Sequence, residues 1–79
     1  MTAGGRLRVA LLGTGWIMDF HARAVLEHPG AELVAAANWR EPSLRALATR
    51  HGIPRVTTHW RELAADPGVD AEILAGFSR

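Results

Sequence analysis

Directly after an apolar run at 7–12, the chain reads Gly13-Thr14-Gly15 and continues into Trp16 and Ile17. A glycine at the end of a buried strand permits a sharp turn into a helix. A second glycine has no side chain to keep an anion away from the backbone. A helix opening at Trp16 would offer unpaired N–H groups and a partial positive charge, so this spacing suits the cradling of a pyrophosphate. The same two glycines would also serve as a plain strand-to-helix turn. The third position of the G-x-G-x-x-G pattern is Met18, where a small residue normally lets helix and strand pack closely. A methionine there must push the helix outward or point elsewhere.

A second constellation is Asn38-Trp39-Arg40, after the apolar run 33–37. In a dinucleotide fold an acid at the end of the second strand hydrogen-bonds the ribose hydroxyls of NAD. Asn38 carries no charge to repel a 2′-phosphate, Arg40 could pair with one, and Trp39 could stack near adenine. This favours NADP over NAD. The three residues also read as a turn residue, a packing tryptophan and a solvated charge.

Other chemistry finds less support. The histidines at 21, 28, 51 and 59 have no acidic or cysteine partner at ligand spacing, and the chain has no cysteine. His21 and His28 would stand about 10 Å apart along a helix, too far to share a metal. Asp19 reads as a charge favourable to a helix N-terminus, and Ser43 and Ser78 lack a nucleophile-elbow context. Trp16 and Trp39 flank the presumed site from two loops, whereas Trp60 reads as core.

These residues need elements to position them. Residues 7–12 read as a strand buried on both faces. Ile17, Phe20, Ala24 and Val25 then recur at helical spacing, ending at His28-Pro29-Gly30. Residues 33–37 form a second strand. Pro42 fits the first turn of a second helix carrying Leu44, Leu47, Ala48 and His51; Gly52 and Pro54 close it. A short β-prone segment at 55–58, a brief helix with Leu63, the turn Asp66-Pro67-Gly68 and an apolar run at 69–75 complete the alternation. The expected fold is α/β, a partial Rossmann-like parallel sheet of about four strands in order 3-2-1-4 with helices on both faces. One domain over 6–79 with a flexible tail at 1–5 is expected.

Composition narrows the classes further. Of 79 residues 48% are apolar, which suits a globular core, and nine arginines against eight acids leave a net charge of +1. The arginines are scattered singly, so nucleic acid is not an expected partner. No apolar run approaches the roughly 20 residues of a membrane span, and no cleavage site follows the short run after Arg6 and Arg8. A cytoplasmic protein without a membrane partner is expected.

Residues 8–40 and 51–77 together resemble the N-terminal part of the Gfo/Idh/MocA oxidoreductases, the glucose–fructose oxidoreductase and inositol dehydrogenase family. The motifs that carry the resemblance are G-T-G-W-I followed by His21-Ala22, then H-G-I-P at 51–54, then Asp66, Pro67, Val69 and Asp70. The resemblance implies hydride transfer between a nicotinamide and a hydroxyl-bearing carbon of a sugar or cyclitol. It also implies cofactor contacts at Gly13, Thr14, Gly15, Trp16 and Ile17, at Asn38, Trp39 and Arg40, and at Ala75, Gly76 and Phe77. The departures from the family pattern are Met18, Asn38, Gly76-Phe77 in place of Thr-Pro, and Glu72 in a strand that should be apolar. The family's E-K-P lysine lies beyond Arg79 and this chain has no lysine. A truncated nucleotide-binding part with no assignable catalytic residue is therefore expected. Two alternatives stand beside it: a non-catalytic module that self-associates through an exposed sheet edge, and a Rossmann domain for a nucleotide sugar or S-adenosylmethionine.

Overall fold

The structure, a computed structural model, describes residues 5–13 and 16–75; Thr14, Gly15, Gly76 and Phe77 lie outside the described residues. In chain order the elements are β1 (Leu7–Gly13), α1 (Ile17–Glu27), β2 (Ala31–Ala37), α2 (Glu41–His51), β3 (Arg55–Thr57), α3 (Trp60–Ala64) and β4 (Ala71–Ala75). The four strands form one parallel sheet in the order β3-β2-β1-β4, as expected from the βαβ alternation.

β1 is the keel of this sheet. It hydrogen-bonds to β2 on one side and β4 on the other, and its residues face two separate apolar clusters. Val9 and Leu11 pack with α1 and α2, while Ala10 and Leu12 pack with Leu63 of α3. A side chain on either face is thus removed from water, which explains an unbroken apolar run where a one-sided strand would alternate. The register of β2 against β1 slips between Val9 and Ala10. That irregularity lets Leu33 and Ala36, an odd number of residues apart, join the same cluster, while Ala35 and Ala37 join the other.

Helix α1 buries only part of the stripe its sequence suggests, Val25 fully and Ile17 partly. Met18, Ala22 and Val25 face the core, with Ile17 packed partly against it, whereas Phe20 and Ala24 are exposed. Met18, only 2% exposed, does not point away from the core; it is the first buried residue of α1. The spacing 18, 22, 25 is as helical as 17, 20, 24, so periodicity alone does not decide between the two stripes. Trp60 is likewise not a core residue. It stands 37% exposed beside Arg61, whose guanidinium lies 4.9 Å from the ring centroid, and Leu63 is the buried residue of α3.

Two arginine–aspartate clasps close the sheet at the ends remote from Gly13. Arg8 donates from its backbone N–H and its Nε to Asp70 Oδ2 (2.9 and 3.0 Å) and from Nη2 to Oδ1 (3.1 Å), while the Asp70 N–H returns to the Arg8 carbonyl (2.8 Å). Arg55 pairs with Asp66, whose Oδ1 also accepts the Gly68 N–H at 2.7 Å. Glu72, opposite Ala10 in β4, is half-buried, and its Oε2 finds no hydrogen-bond partner among the described residues.

Gly52 ends α2 in the left-handed conformation (φ +65°), with open space around its missing β-carbon. A side chain there meets only a conformational penalty. Gly52→Ala is expected to lower stability by about 1 kcal/mol, and Gly52→Asn by less, in urea denaturation. Equal stability of all three proteins would contradict the assignment.

Candidate functional site

The C-terminal ends of β1, β2 and β4 lie side by side, with Leu12 opposite Ala37 and Gly13 opposite Ala75. Gly13 ends β1 at φ +146°, a backbone conformation open at low cost only to glycine. From there the chain enters α1, an 11-residue helix whose N-cap, Trp16, makes no side-chain capping bond. The first-turn N–H groups of such a helix remain available to an anion. Asp19 N–H is already committed to the Trp16 carbonyl at 3.0 Å.

A cleft of about 340 Å³ opens between the first turn of α1 and one face of α2, over the end of β2. Trp16, Met18 and Asp19 form one wall, Asn38 stands at its head, and Ser43, Ala46, Leu47 and Arg50 form the other. Among the cofactor contacts expected from sequence, the cleft brings Trp16 and Asn38 together. Gly13 and Ala75 meet at the neighbouring strand ends, and Ile17 packs partly into the core. Trp39 and Arg40 do not line the cleft: Trp39 is 70% exposed, so it is not a packing residue, and the Arg40 guanidinium lies 5.8 Å from its ring centroid.

Asn38 is buried at 5% exposure, and its Oδ1 accepts the Arg40 N–H at 2.9 Å while its own N–H reaches the Thr57 carbonyl. It therefore shapes the turn after β2 as well as heading the cleft. Trp16 is 71% exposed and meets Phe20 edge-to-face at 5.4 Å.

Asp19 and Arg50 belong to a cluster not anticipated from the sequence. Arg50 donates from Nε to Asp19 Oδ1 (2.9 Å) and from Nη2 to Oδ2 (3.1 Å), and His51 Nε2 lies 2.8 Å from Oδ1. The Arg50 guanidinium foremost, then the His51 ring, hold the Asp19 carboxyl below the ordinary carboxylate range. An ionised carboxylate has no proton to give, so His51 donates from Nε2. The spacing of Ser43, Ala46, Leu47 and Arg50 along one helical stripe was available as a signal. Its meeting with Asp19, 31 residues earlier, was not. His28 accepts the Gly30 N–H at its Nδ1 and is a turn residue. Among the described residues no group of three potential ligands could hold a metal ion, and no helix is long and apolar enough to cross a membrane.

A parallel sheet in this order, with a glycine-ended first strand and a cleft beside the end of the second, is the first half of a doubly wound nucleotide-binding fold. The chain belongs to the Gfo/Idh/MocA oxidoreductase family: the family profile, described as an oxidoreductase family with an NAD-binding Rossmann fold, matches residues 7–78. GenD2 from gentamicin A biosynthesis, solved in complex with NAD, is 36% identical, with a TM-score of 0.80 over 89% of this chain and 20% of that one. A protein described as a probable dehydrogenase from Thermotoga maritima is 31% identical (TM-score 0.80; 89% and 21% covered). A myo-inositol dehydrogenase from Corynebacterium glutamicum is 28% identical (TM-score 0.79; 90% and 21% covered). The chain spans about a fifth of the length of these proteins. No curated protein matches it significantly.

Three carboxyls are held below their ordinary range: Asp19 by Arg50 and His51, Asp66 by the Gly68 N–H and then Arg55, and Asp70 by Arg8. A carboxyl whose folded pKa is depressed stabilises the fold fully above its unfolded value, about 3.9, and loses that contribution as pH falls toward the folded value. Stability in urea is thus expected to be insensitive to these groups above about pH 5 and to fall below about pH 4. Asp70→Asn should be less stable at neutral pH and show a shallower acid limb. An acid limb identical to wild type would contradict the pairing.

Proposed function

We propose that this chain, as a domain over 6–79, holds a nicotinamide dinucleotide across the C-terminal ends of β1, β2 and β4. It would do so as part of an oxidoreductase that transfers hydride to or from a hydroxyl-bearing carbon of a sugar or cyclitol. The observation that supports this most is Gly13, at φ +146° between a doubly buried strand and an uncapped helix N-terminus, within a chain that matches an NAD-binding family. NAD in the GenD2 complex and the inositol dehydrogenase relative support the cofactor class and the substrate class respectively.

The residues present fit such a group. Gly13, Thr14, Gly15, Trp16 and Ile17 would receive the pyrophosphate at the helix N-terminus. Asn38 would face the adenosine ribose through the amide edge left free by its bond to Arg40, with Trp39 and Arg40 at the mouth. Ala75, Gly76 and Phe77 would bound the far side. When bound, the nicotinamide supplies the hydride acceptor or donor. With a neutral residue at 38, nothing at the head of the cleft repels a 2′-phosphate, and we propose NADP over NAD. A second reading, self-association, is supported by Leu74, which is 59% exposed on β4, an edge strand of the sheet among the described residues.

Trp16 makes binding observable. Titration with NADP is expected to change tryptophan fluorescence, and Gly13→Val to weaken binding by at least about tenfold, since it adds both backbone strain and bulk. No response to millimolar dinucleotide, together with a concentration-dependent dimer in light scattering that Leu74→Lys abolishes, would favour the second reading.

A further inference from the structure

The outer face of α1 carries aromatic side chains that the core does not use. Trp16 and Phe20 lie one turn apart, stand 71% and 59% exposed, and meet edge-to-face at 5.4 Å. Exposed aromatic surface rimmed by polar groups is the mark of a binding surface rather than of incomplete burial. With Asp19 and Arg23 the two rings bound a hollow of about 250 Å³. Trp16 and Asp19 also line the α1–α2 cleft, so the two spaces adjoin without sharing Phe20 or Arg23. The hollow is smaller than the roughly 300–1,000 Å³ of sites for drug-sized ligands, and suits a single ring.

The polar groups at the hollow are unsatisfied in a complementary way. Arg8, Arg45, Arg50 and Arg55 are each paired with a carboxylate. Arg23 is exposed and has no hydrogen-bond or ion-pair partner among the described residues. Its planar guanidinium can take a carboxylate through two parallel charge-assisted bonds. Asp19, held ionised by Arg50 and His51, offers about four acceptor positions. Three are taken, two on Oδ1 by Arg50 and His51 and one on Oδ2 by Arg50. The position left on Oδ2 can only accept, as from a hydroxyl. An aromatic face carries the negative side of the ring quadrupole, which attracts the C–H bonds of a saturated ring laid against it. We propose that the hollow binds a sugar acid, a hydroxyl-bearing six-membered ring with a carboxylate. The ring lies against Trp16 and Phe20, its carboxylate meets Arg23, and one hydroxyl donates to Asp19 Oδ2. The hollow involves neither Asn38 nor the glycine turn, so its ligand is independent of the dinucleotide reading.

Titration of the full chain with D-glucuronate, D-glucose and benzoate, followed at the Trp16 indole N–H by NMR, separates the three contacts. Glucuronate is expected to bind about tenfold more tightly than glucose, which lacks the carboxylate, the scale of one charge-assisted bond. Benzoate has a ring and a carboxylate but no hydroxyl, and should bind more weakly than glucuronate. Arg23→Gln should bring glucuronate down to the level of glucose, whereas Arg23→Lys retains part of the difference. Phe20→Leu should weaken both sugars together. Neither Arg23 nor Phe20 is among the residues given to the dinucleotide, so both variants should keep the NADP affinity of wild type. Equal affinity for glucuronate and glucose, benzoate as tight as glucuronate, or an Arg23→Gln without effect would overturn the inference and leave the dinucleotide reading standing. So would a Trp16 indole that responds to none of the three probes. Loss of NADP together with glucuronate in Arg23→Gln would make Arg23 part of the cofactor site and overturn it as well.

Discussion

The structure depends on β1 being paired along both edges and covered on both faces. A strand in that position exposes no side chain to water and leaves its backbone groups few partners outside the sheet. Its sequence is therefore apolar throughout its middle, and its end cannot drift. The chain must leave the sheet abruptly at Gly13, where φ of +146° turns it toward α1. At the opposite end, the Arg8–Asp70 clasp fixes β4 against β1, so that Ala75 arrives beside Gly13.

The cleft is the second consequence. α1 and α2 pack on the same face of the sheet, and their facing stripes meet at Met18 and Leu47. Above this apolar floor the surfaces become polar. Asp19, Arg50 and His51 join the two helices through one carboxylate. The pairing that braces the helices also places a guanidinium on the wall of the space that Asn38 heads.

Much of the fold was legible from sequence because its signals are local. Two apolar runs bounded by Gly13 and Asn38, Pro42 in a first turn and Gly52 at a helix end fix the elements within a residue or two. Right-handed crossovers then leave 3-2-1-4 as the expected order. The failures concern orientation and distance. Two stripes of α1 were comparably apolar, and Met18 rather than Phe20 is the buried one. Trp60 resembles a core residue, yet α3 is only five residues long and buries Leu63 alone. The slip of β2 against β1 has no marker in the alanine-rich run 35–37. The Asp19–Arg50–His51 cluster joins residues more than 30 positions apart, which no local pattern encodes. The family, by contrast, was readable because its motifs sit at the turns, where backbone geometry restricts the residue types.

The central claim is that the dinucleotide lies across the ends of β1 and β2. An amide-resolved NMR titration of the full chain with NADP tests it most directly. Perturbations concentrated at Gly13, Trp16, Asn38 and Ser43, with little change at Thr58 to Arg61 on the far side of the sheet edge, are the predicted result. Shifts centred on Thr58, His59 and Trp60 instead, or none at saturating dinucleotide, would contradict it.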